Sequence, residues 1–465
     1  MRRQTVEELI LEEGESNLSW RRKRWSETIT SPQTRSLLDR DTARFMHQSV
    51  SSPCLTVARK AEGIWIEDSD GRRFMDFHGN NVHHIGYGHP RLIAAVKAQL
   101  DELVFAPRRF TCEPAIALAE KLAEVSPGDL GKVLFATGGS DAIEIALKVA
   151  RAATGRFKTI SFWDSFHGAG FGAAGVGGER LFRSHIAGPL LAGAEHVAPF
   201  TCYRCPYSYP DQEGAPRLDL CHTTCAKMVR YVLEKEGDVA AVIAEPARAV
   251  PYIPPPGFWR IVREACDEFG ALLIFDEIPT GLGKTGRMFA CDYDDVVPDI
   301  LVMGKALGGG ILPIAATLCH PRLDVASDFA LGHYTHEKNP VTARAALTTI
   351  EIIEDEGLIE NAARIGALAL ERLHDMKARH PLIGNVQGRG LLLGVDLVTD
   401  RESKEPAGDA AEAVYYRALD QGLSFKVTMG NVLTLTPPLI TTEEEIDKAL
   451  QIIEDAISEV EKSGA

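Results

Sequence analysis

A lysine and an aspartate each lie at the end of a short apolar segment, where charged side chains could act together on one ligand. Lys305 follows the run DILVMG and precedes Ala-Leu-Gly-Gly-Gly, and Asp276 lies at the end of the run LLIFDE. An isolated lysine in such a place is usually a solvated surface charge. A carboxylate at the end of a buried strand needs a cationic partner, and a protonated pyridine nitrogen would be one. The two residues therefore indicate amine chemistry on a nitrogen-containing ring.

Two turns add the remaining parts of such a site. Gly138, Gly139 and Ser140 follow the run KVLFAT and open a helix, and small residues there leave free N–H groups for a phosphate. Phe166, His167 and Gly168 follow the run KTISFW and offer an aromatic face. Alone, the first turn could be a helix cap and Phe166 a core aromatic. Together with Lys305 and Asp276 they meet the four requirements of pyridoxal phosphate: a phosphate cradle, a stacking ring, a carboxylate for the pyridine nitrogen and a Schiff-base lysine.

The segments that carry these residues predict an α/β fold with a mostly parallel sheet covered by helices. The runs KVLFAT, KTISFW, AAVIAE, LLIFDE and DILVMG are short, apolar throughout and bounded by Gly, Asp or Pro, with helical patterns between several of them. Open sheets of this kind bind ligands beyond the carboxyl ends of their strands. All the candidate residues named so far lie at such ends.

We predict four parts along the chain. Residues 1–50 are polar and form an arm that either packs on the body or a partner, or is disordered. Residues 51–85, with a hairpin at Asp70-Gly71, belong to a smaller domain. Residues 86–340 form the large cofactor-binding domain, and residues 200–226 are a cysteine-containing insertion in it. Residues 341–465 complete the smaller α+β domain, with two or three strands and helices on one side.

The composition excludes several classes of protein. The chain has 465 residues, and 50 Lys and Arg against 65 Asp and Glu give a formal charge of −15, which argues against binding to nucleic acid or an anionic membrane. No apolar run approaches the ~20 residues that cross a bilayer. The first residues look like neither a secretory signal nor a convincing transit peptide, and nine cysteines are then expected to be reduced thiols. We predict a cytoplasmic protein.

The ordered motifs resemble the class III, aminotransferase-type family of fold type I pyridoxal phosphate enzymes. The resemblance covers roughly residues 55–460. It rests on GYGHP (86–90), ATGGSDAIEIALKVAR (136–151), FHG (166–168), AEP (244–246), DEIPTGLGKTG (276–286), MGKALGGG (303–310), THEKNP (335–340) and TPPL (436–439).

That resemblance implies a role for each matching residue. Lys305 would form the Schiff base with the cofactor, Asp276 would hold the pyridine nitrogen and Phe166 would stack on the ring. Gly139 and Ser140 would bind the phosphate, with Thr335 from the neighbouring subunit, because the family builds its site at a homodimer interface. The whole set of implied cofactor-binding residues is Gly138, Gly139, Ser140, Phe166, His167, Glu245, Asp276, Ile278, Lys305 and Thr335.

The departures from the family pattern bear on the substrate. Family members that use glutamate usually have an arginine for the α-carboxylate in the strand before the PPL turn, where this chain has Thr434. Some pair it with a glutamate five residues after the EP glutamate, and that position is Val250 here. Since both halves are missing, we expect no α-carboxylate in the substrate.

Extra polar residues surround the same region of the sequence. Each alone is more often a surface residue, but together they would supply cations and hydrogen bonds to a phosphonate or phosphate. These candidate substrate residues are Asn81, His83, Arg248, His336 and Lys338.

We therefore predict a pyridoxal phosphate-dependent lyase that releases ammonia from a small hydroxylated aminophosphonate. The segment FHGNNVHHIGYGHP and the variant EPAR look most similar to family members with that activity. An ω-aminotransferase with a keto-acid acceptor is the first alternative, and a phospho-lyase acting on an amino-alcohol phosphate is another. A non-catalytic metal-binding scaffold is a further alternative from outside the enzymes.

That scaffold would rest on Cys202, Cys205, Cys221 and Cys225, whose spacing is close to that of a zinc ribbon. The segment is also proline-rich, as expected of an insertion in which the thiols pack as small hydrophobic groups. A catalytic thiol is the third interpretation. We favour the packed thiols and predict no metal site.

Overall fold

The structure is a computed structural model that describes residues 19–48, 51–183, 188–212 and 214–463. Its helices are α1 Trp20–Thr28, α2 Pro32–Thr42, α3 Pro90–Glu102, α4 Glu113–Val125, α5 Gly139–Thr154, α6 Phe171–Val176, α7 Arg180–Arg183, α8 Leu218–Cys221, α9 Thr224–Glu236, α10 Phe258–Phe269, α11 Pro340–Asp355, α12 Leu358–Arg379, α13 Gly408–Asp420 and α14 Glu443–Ser463.

The strands are β1 Ala58–Glu62, β2 Trp65–Asp68, β3 Arg73–Asp76, β4 Lys132–Ala136, β5 Lys158–Phe162, β6 Ala194–Val197, β7 Asp211–Gln212, β8 Ala215–Pro216, β9 Val239–Ala244, β10 Leu272–Asp276, β11 Ile300–Met303, β12 Ala315–Cys319, β13 Ile383–Arg389, β14 Leu392–Asp400, β15 Glu405–Pro406, β16 Leu423–Ser424, β17 Lys426–Thr428 and β18 Val432–Leu435.

A seven-stranded sheet forms the centre of the molecule, in the order β4-β12-β11-β10-β9-β5-β6. Strand β12 runs antiparallel to both of its neighbours, and the other pairings are parallel. The five apolar runs that predicted strands all lie in this sheet, so the predicted α/β class is confirmed. Strand β10 shows why these runs have no polar alternation: Ile274 packs in the apolar cluster on one face and Phe275 in the cluster on the other.

Smaller sheets flank the central one. Strands β1, β2 and β3 form a meander, and the turn at Asp70-Gly71 joins β2 to β3, as the sequence predicted. The short strand β16, near the C-terminus, extends this meander by parallel pairing with β3. Strands β13, β14, β18 and β17 form a further antiparallel sheet, with β15 added to β14. The C-terminal part thus has more strands than the two or three predicted, while the domain boundaries stay a prediction.

The described part of the predicted N-terminal arm is helical and packs on the body. Ser19 caps α1, since its hydroxyl accepts a hydrogen bond from the N–H of Arg22. Trp25 is buried, and Arg21 forms ion pairs with Asp409 and Glu412. Residues 1–18, 49 and 50 of the predicted arm lie outside the described residues. None of the helices in the described part of the chain combines the length and the apolar composition that crossing a bilayer requires.

Candidate active site

One cavity of about 210 Å³ lies beyond the carboxyl ends of strands β4, β5, β9, β10 and β11. Each of these strands is followed by a turn that contributes lining residues, as expected for an open α/β sheet. The lining comprises Gly139, Ser140, Phe166, His167, Gly168, Glu179, Glu245, Arg248, Ala249, Val250, Asp276, Ile278, Pro279 and Lys305.

Asp276 lies at the end of β10, and two donors fix its carboxylate. One oxygen accepts a hydrogen bond from Nδ1 of His167 across 2.8 Å, and the other accepts one from the N–H of Ile278 at 3.1 Å. All but a few per cent of the Asp276 side chain is buried. A carboxylate has about four lone-pair sites, so Asp276 can accept a further donor from a ring nitrogen in the cavity.

The start of helix α5 and the turn at Gly168 form one end of the cavity. The hydroxyl of Ser140 accepts a hydrogen bond from the N–H of Ala169 at 3.1 Å, which ties the two segments together. Gly168 has a φ of +128°, and a Cβ on it would lie 2.4 Å from Oγ of Ser140. A Cβ on Gly139 would lie 2.9 Å from Ile278. Because both positions exclude a side chain, the helix N-terminus stays open to an anion.

Lys305 follows β11 and opens a short 3₁₀ turn, Lys305–Gly308. Its φ of +44° is unusual for a residue with a side chain, and such strained conformations cluster at active sites. Within the described residues the side chain of Lys305 makes no hydrogen bond or ion pair. The amine is therefore available to a group bound in the cavity.

A buried ion pair forms the other end of the cavity. Nη2 of Arg248 donates a hydrogen bond to Oε1 of Glu179 at 3.0 Å, and both side chains are only 3% exposed. Nε of Arg248 lies 3.9 Å from Oε1 of Glu245. Burial raises the pKa of Glu245, while Arg248 acts in the opposite direction. Burial lowers the pKa of Arg248, but Glu245 and Glu179 outweigh it, so the guanidinium stays charged.

The structure brings most of the predicted cofactor residues to this one cavity. Phe166 lies on the wall with its ring 4.4 Å from that of Phe182, and Gly138 precedes the lining as the N-cap of α5. The predicted residues that line the cavity are Gly139, Ser140, Phe166, His167, Glu245, Arg248, Asp276, Ile278 and Lys305. Their individual roles toward the cofactor stay predictions.

Two candidate substrate residues, Asn81 and His83, lie outside the cavity lining. His83 is fully buried, and its Nε2 lies 3.0 Å from the carbonyl oxygen of Asp76, within hydrogen-bond distance. Burial lowers the pKa of His83 to about 4, so the ring is neutral near pH 7. A neutral, enclosed imidazole offers no positive charge to a phosphonate, and the substrate role of His83 stays a prediction.

Thr335, His336 and Lys338 are exposed and also lie outside the lining of their own chain's cavity. His336 packs edge-on against Phe105, with ring centroids 5.4 Å apart. Lys338 lines a separate surface cavity beside α4. Within one chain, therefore, these three residues do not reach the candidate site.

The cysteines of the insertion do not form a metal centre in the described part of the chain. Cys202, Cys205, Cys221 and Cys225 line a cavity of about 30 Å³ among prolines and aromatic rings, and all four are free thiols. No three His, Cys, Asp or Glu side chains of the described residues are grouped so that they could hold a metal ion. Burial raises the pKa of Cys202 and of Cys225 to about 12, which disfavours reactive thiolates.

Sequence reasoning missed Glu179. This residue follows the Gly177-Gly178 pair and is separated by 69 positions from Arg248, so no local motif links the two. Thr434, where the resemblance predicts that relatives carry an arginine, is buried in β18 and shares a 2.7 Å hydrogen bond with Thr428. Val250, where it predicts their glutamate, lines the cavity as an apolar wall.

The described residues fit pyridoxal phosphate. The helix N-terminus with Ser140 suits its phosphate, the fixed carboxylate of Asp276 suits its ring nitrogen, and Lys305 offers an amine of the kind that can hold it covalently. The sequence profile of the family described as Aminotransferase class-III matches residues 46–457. The chain belongs to this family. It is an enzyme, and its cofactor is pyridoxal phosphate.

Curated relatives differ in activity. The chain is 46% identical to (R)-1-hydroxy-2-aminoethylphosphonate ammonia-lyase of Vibrio splendidus, over 96% of this chain and 95% of that protein. It is 39% identical to the leucine/methionine racemase of Thermococcus litoralis, over 87% of this chain and 91% of that protein. The family therefore holds several reactions on one scaffold, and the choice among them depends on the site.

Solved structures agree with the predicted fold. A Bacillus anthracis aminotransferase superposes with a TM-score of 0.84 at 34% identity, covering 93% of this chain and all of that one. An amine transaminase from an uncultivated Pseudomonas species, solved in its PLP-bound form, gives a TM-score of 0.82 at 31% identity, covering 90% of this chain and 98% of that one.

Proposed function

We propose that the enzyme is an ammonia-lyase that converts (R)-1-hydroxy-2-aminoethylphosphonate, or a close hydroxylated aminophosphonate, to phosphonoacetaldehyde and ammonia. The relative from Vibrio splendidus supports this reaction, because the identity extends over nearly the full length of both proteins. The observation that carries the substrate class is Arg248, a buried arginine that lines the cofactor cavity.

Arg248 supplies the kind of group that an aminophosphonate needs. The planar guanidinium presents several N–H donors in a fork, which matches the oxygens of a phosphonate. Its Nε and Nη1 make no hydrogen bond within the described residues, so two donors are available to a ligand. Strand β18, by contrast, has no cationic residue, and its Thr434 is bonded to Thr428. The anion site therefore differs from the one expected for an α-carboxylate.

The side chains of the cavity can carry out the elimination. Pyridoxal phosphate, when bound, supplies an electron sink that stabilises negative charge on the carbon bearing the amine. Asp276 keeps the ring nitrogen protonated. Nζ of Lys305 takes the proton from that carbon and can deliver it to the hydroxyl group on the neighbouring carbon. The C–O bond then breaks, and the hydroxyl group leaves with the bonding electron pair as water. The released enamine takes up a proton on the carbon next to phosphorus to become an imine, and water hydrolyses the imine to aldehyde and ammonia.

We also propose that the enzyme acts as a homodimer in the cytoplasm. Thr335 is exposed and lies outside the cavity of its own chain, which is compatible with a role in the phosphate site of a second copy. His336 and Lys338 lie on the same segment and would then reach that second cavity as well. Analytical ultracentrifugation and a Thr335→Ala variant with weakened cofactor binding would test this arrangement.

The reaction is tested by its products and its co-substrate requirement. The holoenzyme is given (R)-1-hydroxy-2-aminoethylphosphonate with and without pyruvate or 2-oxoglutarate. We expect ammonia and phosphonoacetaldehyde in equal amounts, with no acceleration by either keto acid. Uptake of solvent deuterium at the amine-bearing carbon without ammonia release would instead indicate the reversible proton transfer on which a racemase relies.

An ω-aminotransferase is the second candidate, since the superposed structures are transaminases and Arg248 could bind a carboxylate. In that case alanine or glutamate would accumulate in step with the amine consumed, and no ammonia would appear. This outcome would decide against the lyase.

A further inference from the structure

Arg248 and Glu179 reach the cavity from different parts of the chain. Arg248 lies in the loop after β9, and Glu179 lies in the turn between α6 and α7. Their 3.0 Å hydrogen bond is enclosed, and both residues line the cavity with Lys305 and Asp276. A buried guanidinium is costly unless carboxylates compensate it, so Arg248 depends on its neighbours for its place in the fold.

The backbone fixes the position from which Glu179 reaches the arginine. A Cβ on Gly178 would lie 2.2 Å from the carbonyl oxygen of Phe162, so the turn is pressed against the end of β5. The N–H groups of Gly178 and Glu179 donate to the carbonyl oxygen of Ser165, at 2.7 and 3.1 Å. Any movement of the Glu179 carboxylate must therefore come from its side-chain torsions.

The charges around Arg248 limit what else can bind there. Glu179 and Glu245 already offer two carboxylates to one guanidinium. A phosphonate dianion added without any change would surround a single cation with three anionic groups in a buried space, where like charges repel strongly. One of the two carboxylates must therefore move away from the guanidinium when the phosphonate binds.

The hydrogen bonds indicate which of the two carboxylates moves. Glu245 does not hydrogen-bond to Arg248, and backbone groups hold it in place: its Oε2 accepts from the N–H of Ala249 at 2.8 Å and its Oε1 from the N–H of Phe166 at 3.5 Å. Glu179 contacts the guanidinium directly through Nη2, and it therefore competes with a phosphonate for that donor and for the positive charge. The exchange is expected at Glu179.

We propose that Glu179 holds Arg248 in the ligand-free enzyme and releases it to the phosphonate group of the substrate. This inference rests on the proposed function. Glu179 is then a positioning residue that makes the site selective for dianions. A phosphonate dianion interacts more strongly with the released guanidinium than a single carboxylate does. Arg248 and Glu179 also supply, from two other positions, the arginine–glutamate pair that Thr434 and Val250 no longer provide.

The test measures the binding of ethylphosphonate to the holoenzyme by titration calorimetry, with propionate as the carboxylate of similar size. Neither probe carries an amine, so neither reacts with the cofactor. In Glu179→Gln the competing charge is gone, and we expect the dissociation constant for ethylphosphonate to fall about tenfold. The KM for the aminophosphonate should fall with it. Arg248→Gln, alone or combined with Glu179→Gln, should lose ethylphosphonate binding to the same extent.

Weaker or unchanged binding of ethylphosphonate in Glu179→Gln would overturn the proposal. If Glu179 only supported Arg248, its removal would lower the affinity of the site for ethylphosphonate. Should this variant fail to fold, Glu179→Asp keeps the charge on a shorter side chain. Because the shorter side chain contacts Arg248 less well, we expect ethylphosphonate to bind about twofold more tightly. A loss of affinity would contradict the exchange. The matched control is Arg263→Gln, which breaks a largely enclosed pair with Asp299 outside the cavity and should leave binding unchanged.

The failure of the proposed function is separable from the failure of the exchange. A wild-type holoenzyme that neither binds ethylphosphonate nor releases ammonia from the aminophosphonate would overturn both. A wild-type enzyme that does both, together with a Glu179→Gln variant that binds no more tightly, would overturn the exchange alone.

Discussion

Nδ1 of His167 and Oδ2 of Asp276 lie 2.8 Å apart, and both side chains are almost completely buried. Because an ionised carboxylate only accepts hydrogen bonds, the imidazole must carry its proton on Nδ1. Together with the N–H of Ile278, this donor sets the orientation of the carboxylate. Asp276 is thus held in place before any ligand binds, which favours a fixed interaction with a ring nitrogen.

The change Asp276→Asn keeps an oxygen that can accept from His167 but removes the negative charge. The ring nitrogen would then lose its proton, and the cofactor would no longer stabilise charge on the substrate carbon. We expect ammonia release to fall by several orders of magnitude while the protein stays folded. The measurements are steady-state rates and circular dichroism. Near-normal rates would show that Asp276 is not the partner of the ring nitrogen.

The change Lys305→Ala removes the amine proposed to hold the cofactor. We expect the variant to lose the visible absorbance of the protein-bound Schiff base and to hold pyridoxal phosphate reversibly or not at all. Borohydride reduction of the wild-type enzyme, followed by peptide mapping, should place the cofactor on the peptide that contains Lys305. Lys284→Met is the matched control, because Lys284 is buried but lies outside the cavity lining and should not affect the label. Labelling of another lysine would contradict the assignment.

The central sheet was predictable from the sequence because its strands are apolar on both faces and end in polar turns. The C-terminal sheet was undercounted for a local reason. Gly390, with a φ of +53°, turns the chain within the run QGRGLLLGVDLV, so that this run contributes to two strands, β13 and β14. Glycine adopts this conformation at little cost, and a single glycine in a run of apolar residues is a weak signal.

The candidate site was predictable where one motif carries both the residue and its neighbours, as at Lys305, Asp276 and Ser140. For His83 the polar neighbours in the sequence suggested a ligand, but they could not show that the fold turns its ring toward the carbonyl of Asp76. Glu179 was missed because its partner, Arg248, is brought to it only by the tertiary structure. Contacts between distant segments are not encoded in local spacing.

Gly168→Ala tests the phosphate end of the cavity. A Cβ there would collide with Oγ of Ser140, and the φ of +128° is closed to alanine. We expect the dissociation constant for pyridoxal phosphate, measured by fluorescence titration of the apoenzyme, to rise at least about tenfold. Gly155→Ala is the matched control, since it also has a positive φ, but no atom lies within 4 Å of the new Cβ. An equal effect in both variants would mean that backbone strain alone, and not the cradle, is responsible.

Lys284 gives a prediction about the pH dependence of stability. Its Nζ is fully buried and donates to the carbonyl oxygen of Pro437 at 2.6 Å, joining the loop after β10 to the turn after β18. Burial lowers the pKa of Lys284 from 10.5 to about 7, and Asp76 offsets this only in part. Between these two pH values the unfolded chain binds more protons at this site than the folded protein does. The stability of the folded state therefore rises with pH across this window, and the gain is absent below about pH 7.

The variant Lys284→Met isolates this effect, because methionine has similar length and no charge. We expect the free energy of unfolding of the wild-type enzyme, relative to that of Lys284→Met, to increase by about 2 kcal/mol from pH 7.5 to pH 9.5. Urea denaturation of both proteins at the two pH values measures it. Lys235→Met is the control, because Lys235 is exposed and binds its proton in both states over this range. A constant difference between wild type and Lys284→Met would mean that Lys284 keeps its proton in the folded enzyme up to pH 9.5, and that the carbonyl oxygens around Nζ stabilise the charge in spite of burial.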